Sequence, residues 1–188
     1  MNYLILVLAS AAAYIISALS NIVTTKLGSL RDPLQTWEIL NTVGLLPIRL
    51  RAWIFSTLVG IANPYSRSIN FRITELRKGK ACGVLRETKE VSNPFQRVHA
   101  GALVTFGETV GTLALFTLLG KKDRAILTNI NAEYVKVSRG LLTASSIVSP
   151  LKDHDVSDMT THVLIKNASF ETVVKVTLTW KVDLSEKQ

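Results

Sequence analysis

From Val98 to Leu119 the chain reads VHAGALVTFGETVGTLALFTLL, a stretch that is apolar almost all the way round a helix and holds one charged side chain, Glu108. A helix without a polar face has to be enclosed by the rest of the fold. Gly101, Gly107 and Gly111 each weaken it by about 1 kcal/mol relative to alanine. That cost makes sense only where another element must approach the backbone closely. The chain must therefore build a sheath around one long helix, and a sheet wrapped round it does so.

The flanking sequence has the period to supply that sheet. Ile69, Phe71 and Ile73 alternate with Asn70, Arg72 and Thr74 from Ser66 onward. Arg77-Lys78-Gly79-Lys80 makes a turn, and a second strand runs from Lys80 to about Glu87, completing a hairpin. Asn93-Pro94 ends the next loop, and Gly120 with Lys121-Lys122 closes the helix. Four further strands are predicted over Ala125–Val137, Gly140–Val148, Met159–Lys166 and Glu171–Val182. In the last, Val174, Val176, Leu178, Trp180 and Val182 alternate with polar residues. Asn167-Ala168-Ser169 links the final two as a turn, although it also matches a glycosylation acceptor. The fold class expected over residues 66–188 is α+β, with an antiparallel sheet wrapped around one central helix. Such a sheet keeps an exposed edge, and edge-to-edge pairing into a homodimer would cover it. Cys82 is the single cysteine, which excludes an internal disulfide and a cysteine-based zinc site. It is read as a small core or rim residue of the second strand.

The front of the chain has a different character. No charged side chain occurs from Met1 to Thr25, and Tyr3–Val23 is nearly all Leu, Ile, Val, Ala, Ser and Tyr. That matches the roughly 20 apolar residues a transmembrane helix needs. A secretory signal peptide wants a basic region first, and only Met1 and Asn2 precede this stretch. Residues 1–25 are therefore expected to be a retained membrane anchor. The basic residues after it, Lys26, Arg31, Arg49 and Arg51, place the folded domain on the cytoplasmic or mitochondrial matrix side. The mitochondrial inner membrane is the membrane expected. Residues 26–65 form a helical linker in two pieces, the first capped by Asp32 with Pro33 behind it. The second, Ile48–Ile61, puts Leu50, Trp53, Ile54, Thr57 and Leu58 on one face. It reads equally as an interfacial helix and as a helix docked on the domain. A formal net charge of +8 suits anionic headgroups or anionic ligands. Nucleic acid is not expected as a partner, because no basic run is interleaved with aromatics.

The segment Asn93-Pro-Phe-Gln-Arg-Val-His99-Ala-Gly-Ala-Leu-Val-Thr-Phe-Gly-Glu108 resembles the hotdog-fold thioesterases of the phenylacetate-pathway and 4-hydroxybenzoyl-CoA thioesterase type. There an Asn precedes a His-Gly-Gly that opens the helix, and an acidic residue follows inside it. Asn131-Ala-Glu-Tyr-Val-Lys-Val-Ser-Arg-Gly140 resembles the strand and turn that follow. The likeness covers about residues 65–183 and leaves out the anchor. It implies hydrolysis of an acyl-CoA thioester, with no cofactor beyond acyl-CoA as substrate or ligand. In that reading Glu108 is general base or nucleophile. Ala100 and Gly101 offer backbone N–H groups to the thioester carbonyl at the positive end of the helix. Asn93 orients water or carbonyl, His99 holds the loop or helix start, and Lys136 and Arg139 meet the CoA phosphates. This chain has Ala100 where the family has the first glycine, and Leu127 beside Thr128 where some relatives place a hydroxyl.

Plainer readings exist for the same residues. Asn93 before Pro94 is ordinary turn chemistry, and His99 near a helix start is often a cap. Glu108 is harder to dismiss, since a carboxylate within an apolar helix costs several kcal/mol unless it is paired or functional. His154 and His162 have no ligand-spaced partners, so no metal is expected. The functions in view are a membrane-anchored acyl-CoA thioesterase, an inactive accessory subunit of a membrane complex, and an acyl-binding module without turnover.

Overall fold

A computed structural model of the chain describes residues 32–42, 46–149 and 158–185. The expected anchor over residues 1–25 lies outside the described residues, as does His154. Among the described residues no helix is long and apolar enough to cross a membrane.

Two helices come first, α1 (Pro33–Thr42) and α2 (Ile48–Ala62). Asp32 caps α1, its carboxylate accepting from the Gln35 N–H at 2.9 Å. Arg51 ties the two helices together, donating to the carbonyls of Leu46 at 2.6 Å and Asn41 at 3.0 Å. Trp37 of α1 meets Phe55 of α2 edge-on, ring centroids 5.0 Å apart. The face of α2 that turns inward carries Ile54, Phe55, Leu58 and Val59, whereas Leu50 and Trp53 point outward. The single face read from the sequence is thus divided between the two sides. Both sides of this helix are apolar, so periodicity alone does not say which side is covered.

A one-turn helix, α3 (Pro64–Arg67), follows, with Asn63 accepting from the Ser66 N–H. The alternation that predicts a strand from Ser66 belongs in part to this turn: Ile69 and Phe71 are both buried, and the strand proper begins at Arg72. The six strands are β1 (Arg72–Arg77), β2 (Lys80–Arg86), β3 (Arg124–Tyr134), β4 (Leu141–Ile147), β5 (Asp158–Lys166) and β6 (Thr172–Asp183). Their order across the sheet is β1-β2-β4-β5-β6-β3, and every pairing is antiparallel. The central helix α4 (Ala100–Phe116) lies against one face. This is the α+β sheet-around-helix arrangement, consistent with a hotdog fold.

The core forms where the helix meets the sheet. Phe106, Val110, Ala114 and Leu115 of α4 are fully buried, as are Leu142, Val163, Ile165, Val174 and Leu178 of the strands. Two of the three helix glycines are sites of close approach. A Cβ on Gly107 would stand 2.7 Å from Val176 Cγ2, and one on Gly111 would collide with Leu178 Cδ1. Gly101 differs from expectation: its nearest neighbour is the His99 ring, not the sheet.

The two sheet edges are treated differently. At β1 the Ile73 N–H donates to Ser56 Oγ of α2 at 2.8 Å, so a helix covers that edge. At β3 the side chains of Ile126, Ile130 and Tyr134 stay 64%, 39% and 49% exposed, and among the described residues β6 is the one strand that pairs with it. An exposed strand edge with apolar side chains invites pairing with another chain.

Candidate active site

The central helix is not sealed on all sides. Gly101, Val104, Glu108, Thr112 and Phe116 are only half-buried, while the residues between them are almost all buried. Their spacing of three and four residues puts them on one stripe. Across from it, register with β6 sets Leu127, Ile130, Ala132 and Tyr134 of β3 on the same sheet face as Trp180, Leu178, Val176 and Val174. That face carries the core, so β3 turns a partly uncovered wall toward the helix. The Tyr134 hydroxyl reaches the Ala100 carbonyl at 3.3 Å. Phe116 packs against Trp180 with centroids 6.3 Å apart.

Glu108 sits midway along the stripe. Burial holds its carboxyl above its ordinary pKa, and a hydrogen bond from Thr112 acts in the opposite direction. The Thr112 hydroxyl donates to Glu108 Oε1 at 3.0 Å. Among the described residues no cation forms a salt bridge with Glu108. The buried ion pair that offers a purely structural reading is therefore not what holds this carboxylate. Thr112 is a site residue that sequence reasoning missed, although its i+4 spacing from Glu108 was the available signal. Tyr134 was missed as well, and its place depends on long-range packing of β3 that no local pattern encodes.

At the helix start the residues serve one another. His99 is the N-cap, and its Nδ1 accepts from the Gly101 N–H at 2.9 Å. This corrects the expectation that Gly101 offers its N–H to a ligand carbonyl, since the histidine ring already occupies it. Among the described residues nothing accepts from the Ala100 N–H. Asn93 is spent in part on its own loop: its Oδ1 accepts from Phe95 at 3.0 Å and from Arg97 at 3.2 Å. Its amide nitrogen is the group left for other work. The loop is held to the chain after β3 by Val98 N–H donating to Ser138 O at 3.0 Å, and by Arg139 Nε donating to Gln96 O at 2.9 Å.

Lys136 and Arg139 thus lie at the same end of the molecule as the helix N-terminus. Lys136 forms an exposed salt bridge with Glu171 at 2.6 Å. Cys82 is half-buried on β2, and burial pushes its thiol pKa up, which keeps it protonated and a poor nucleophile. His162 is exposed on β5, near Thr177. Among the described residues no three His, Cys, Asp or Glu side chains gather as a metal site would require.

Comparison with known proteins bears on the whole of this region. The family model described as a domain of unknown function, DUF4442, matches residues 51–182. No curated protein matches the chain. Among solved structures, a structural-genomics protein named without organism or activity is 23% identical with a TM-score of 0.68, covering 80% of this chain and 97% of its own. A thioesterase from Staphylococcus aureus is 20% identical with a TM-score of 0.57, covering 64% and 99%. A thioesterase from Haemophilus influenzae is 19% identical with a TM-score of 0.58, covering 68% and 87%. At these identities the likeness is one of fold.

Proposed function

Since the chain belongs to the DUF4442 family and shares its fold with proteins named as thioesterases, we propose that it is an acyl-CoA thioesterase-like hydrolase with Glu108 at its centre. The observation that carries this reading is the Glu108–Thr112 pair: a half-buried carboxylate with no cation beside it, on the one stripe of the central helix that the sheet leaves uncovered. Keeping a carboxylate there costs stability, which marks it as a candidate functional group.

In the proposed reaction Glu108 takes a proton from water as the water oxygen adds to the thioester carbonyl carbon. The C–S bond then breaks, and the leaving thiolate takes that proton back from Glu108, giving a free acid and a thiol and restoring the carboxylate. A base whose pKa is raised toward the working pH suits this step. Ala100 N–H, at the positive end of α4, is the backbone donor for the developing oxyanion. His99 acts by fixing the helix start through Gly101, and the Asn93 amide nitrogen orients water or carbonyl. Lys136 and Arg139 serve the CoA phosphates, with Lys136 exchanging Glu171 for phosphate.

Two further elements complete the proposal. A second copy pairs along the uncovered β3 edge and closes the Glu108 stripe from that side. Residues 1–25 tether the protein to a membrane, with the domain on the cytoplasmic or matrix face. The test is thiol release from acyl-CoAs of graded chain length by the full chain, with Glu108→Gln as control. A second reading, an inactive accessory subunit or acyl-binding module, is favoured by one observation: His99 already takes the Gly101 N–H, which leaves one backbone donor at the helix start instead of two. Binding of acyl-CoA without turnover would select it.

A further inference from the structure

Helix α2 is apolar on both sides, and among the described residues one side is left uncovered. Ile54, Phe55, Leu58 and Val59 face the core, but Leu50, Trp53 and Ile61 are 38%, 48% and 51% exposed. With Thr57 between them they follow the i, i+3, i+7, i+11 spacing of one continuous stripe. A helix face in water ordinarily carries charged residues, and this stripe carries none. Charge lies at its margins. Arg49, four residues before Trp53, is exposed at one end. At the other end the Arg67 side chain lies where a Cβ on Gly60 would stand 3.0 Å from its own Cβ, on the flank of the helix that Trp53 also occupies. Tyr65 is 72% exposed beside it. Between Glu38 and Glu75 every charged residue is an arginine: Arg49, Arg51, Arg67 and Arg72.

The geometry points to this stripe as a membrane-surface contact: α2 lies in the headgroup region of an anionic bilayer, with Leu50, Trp53 and Ile61 entering the acyl boundary and Arg49 and Arg67 on lipid phosphates. Tryptophan and tyrosine at the border, arginines at the rim and a purely apolar centre are what an interfacial helix presents. A second copy fits less well. Two-fold pairing of this face with itself sets arginine against arginine, with no carboxylate in the whole segment to offset them. Residues 1–25 hold no carboxylate to offset the arginines. The inference does not depend on thioester hydrolysis.

The full chain offers a direct probe, because Trp37 and Trp180 are 8% and 3% exposed while Trp53 is open. The protein is mixed with vesicles of phosphatidylcholine alone or with phosphatidylserine, using lipids brominated near the headgroup end of the acyl chain. The expected result is quenched tryptophan fluorescence with the anionic vesicles, lost in Trp53→Phe, which keeps the two buried indoles. Arg49→Gln and Arg67→Gln each weaken vesicle binding about fivefold, the fold-change of roughly 1 kcal/mol per basic residue at an anionic surface. Near-ultraviolet circular dichroism confirms that the variants are folded. Vesicle binding with Trp53 unquenched would overturn the inference, placing the contact in residues 1–25 alone. So would no vesicle binding at all, or shielding of Trp53 from aqueous iodide without lipid, which marks a protein segment or a second copy as the cover. Acyl-CoA turnover measured on the same samples keeps the two readings apart: a quenched but inert protein fails as a hydrolase and stands as a surface binder.

Discussion

At the scale of single residues, the burden rests on Glu108. Its folded pKa is raised by burial, so the folded state holds that proton more tightly than the unfolded chain does. As pH rises from the unfolded carboxylate value, about 4.3, through the raised folded value, the native state loses stability relative to the unfolded one. Glu108→Gln removes that loss. Thermal melting is therefore expected to show the variant more stable than wild type at about pH 8 and equal to it at about pH 4, below both values. Equal melting temperatures at both would mean the carboxylate is not disfavoured by its site. Thr112→Val takes away the donor at 3.0 Å, which favours the ionised form. The acid limb of the rate profile should move to higher pH, with activity near that limb falling by up to about tenfold for the hydrogen bond removed. An unmoved limb would separate Thr112 from the reaction.

Secondary-structure elements show how far the sequence speaks and where it stops. The central helix was legible because an all-round apolar stretch admits one solution, and Gly107 and Gly111 marked the two closest approaches of the sheet. Gly107→Ala forces a Cβ to 2.7 Å from Val176 Cγ2 and is expected to cost about 1–3 kcal/mol, as overpacking does. In a chain of this size that is a fall of roughly 2–4 °C in melting temperature per kcal/mol, and an unchanged melting curve would deny the contact. Strand period located all six strands, but the strand expected from Ser66 begins at Arg72, because local alternation does not distinguish a buried turn from a strand. The single face read for α2 is divided in the structure, Ile54 and Leu58 inward and Leu50 and Trp53 outward, because both its sides are apolar. At the site, Asn93, His99 and Glu108 stood out through the resemblance of their segment to hotdog-fold thioesterases, and Glu108 also as the lone carboxylate of an apolar helix. Their hydrogen bonds did not: that His99 caps Gly101, and that Asn93 folds back on its own loop, depends on side-chain rotamers that spacing cannot encode. Thr112 was within reach of an i+4 argument, whereas Tyr134 was not.

For the whole molecule, two exposed surfaces ask for partners of different kinds. Among the described residues the outer edge of β3 is unpaired and Ile126 and Ile130 are exposed, which suits a second copy, while the α2 stripe with its arginine rim suits lipid. Light scattering in detergent should give a dimer for the wild-type chain and a monomer for Ile126→Lys with Ile130→Lys. A wild-type monomer would remove the second copy from the proposed site. The measurement that bears most directly on function is thiol release by the solubilised full chain across a panel of short- to long-chain acyl-CoAs, run beside Glu108→Gln. The hydrolase reading expects turnover of some chain length by wild type and a loss of about 100-fold or more in kcat for the variant, as removal of a general base produces. Turnover that Glu108→Gln leaves intact, or a folded wild type inert to the whole panel, would contradict it.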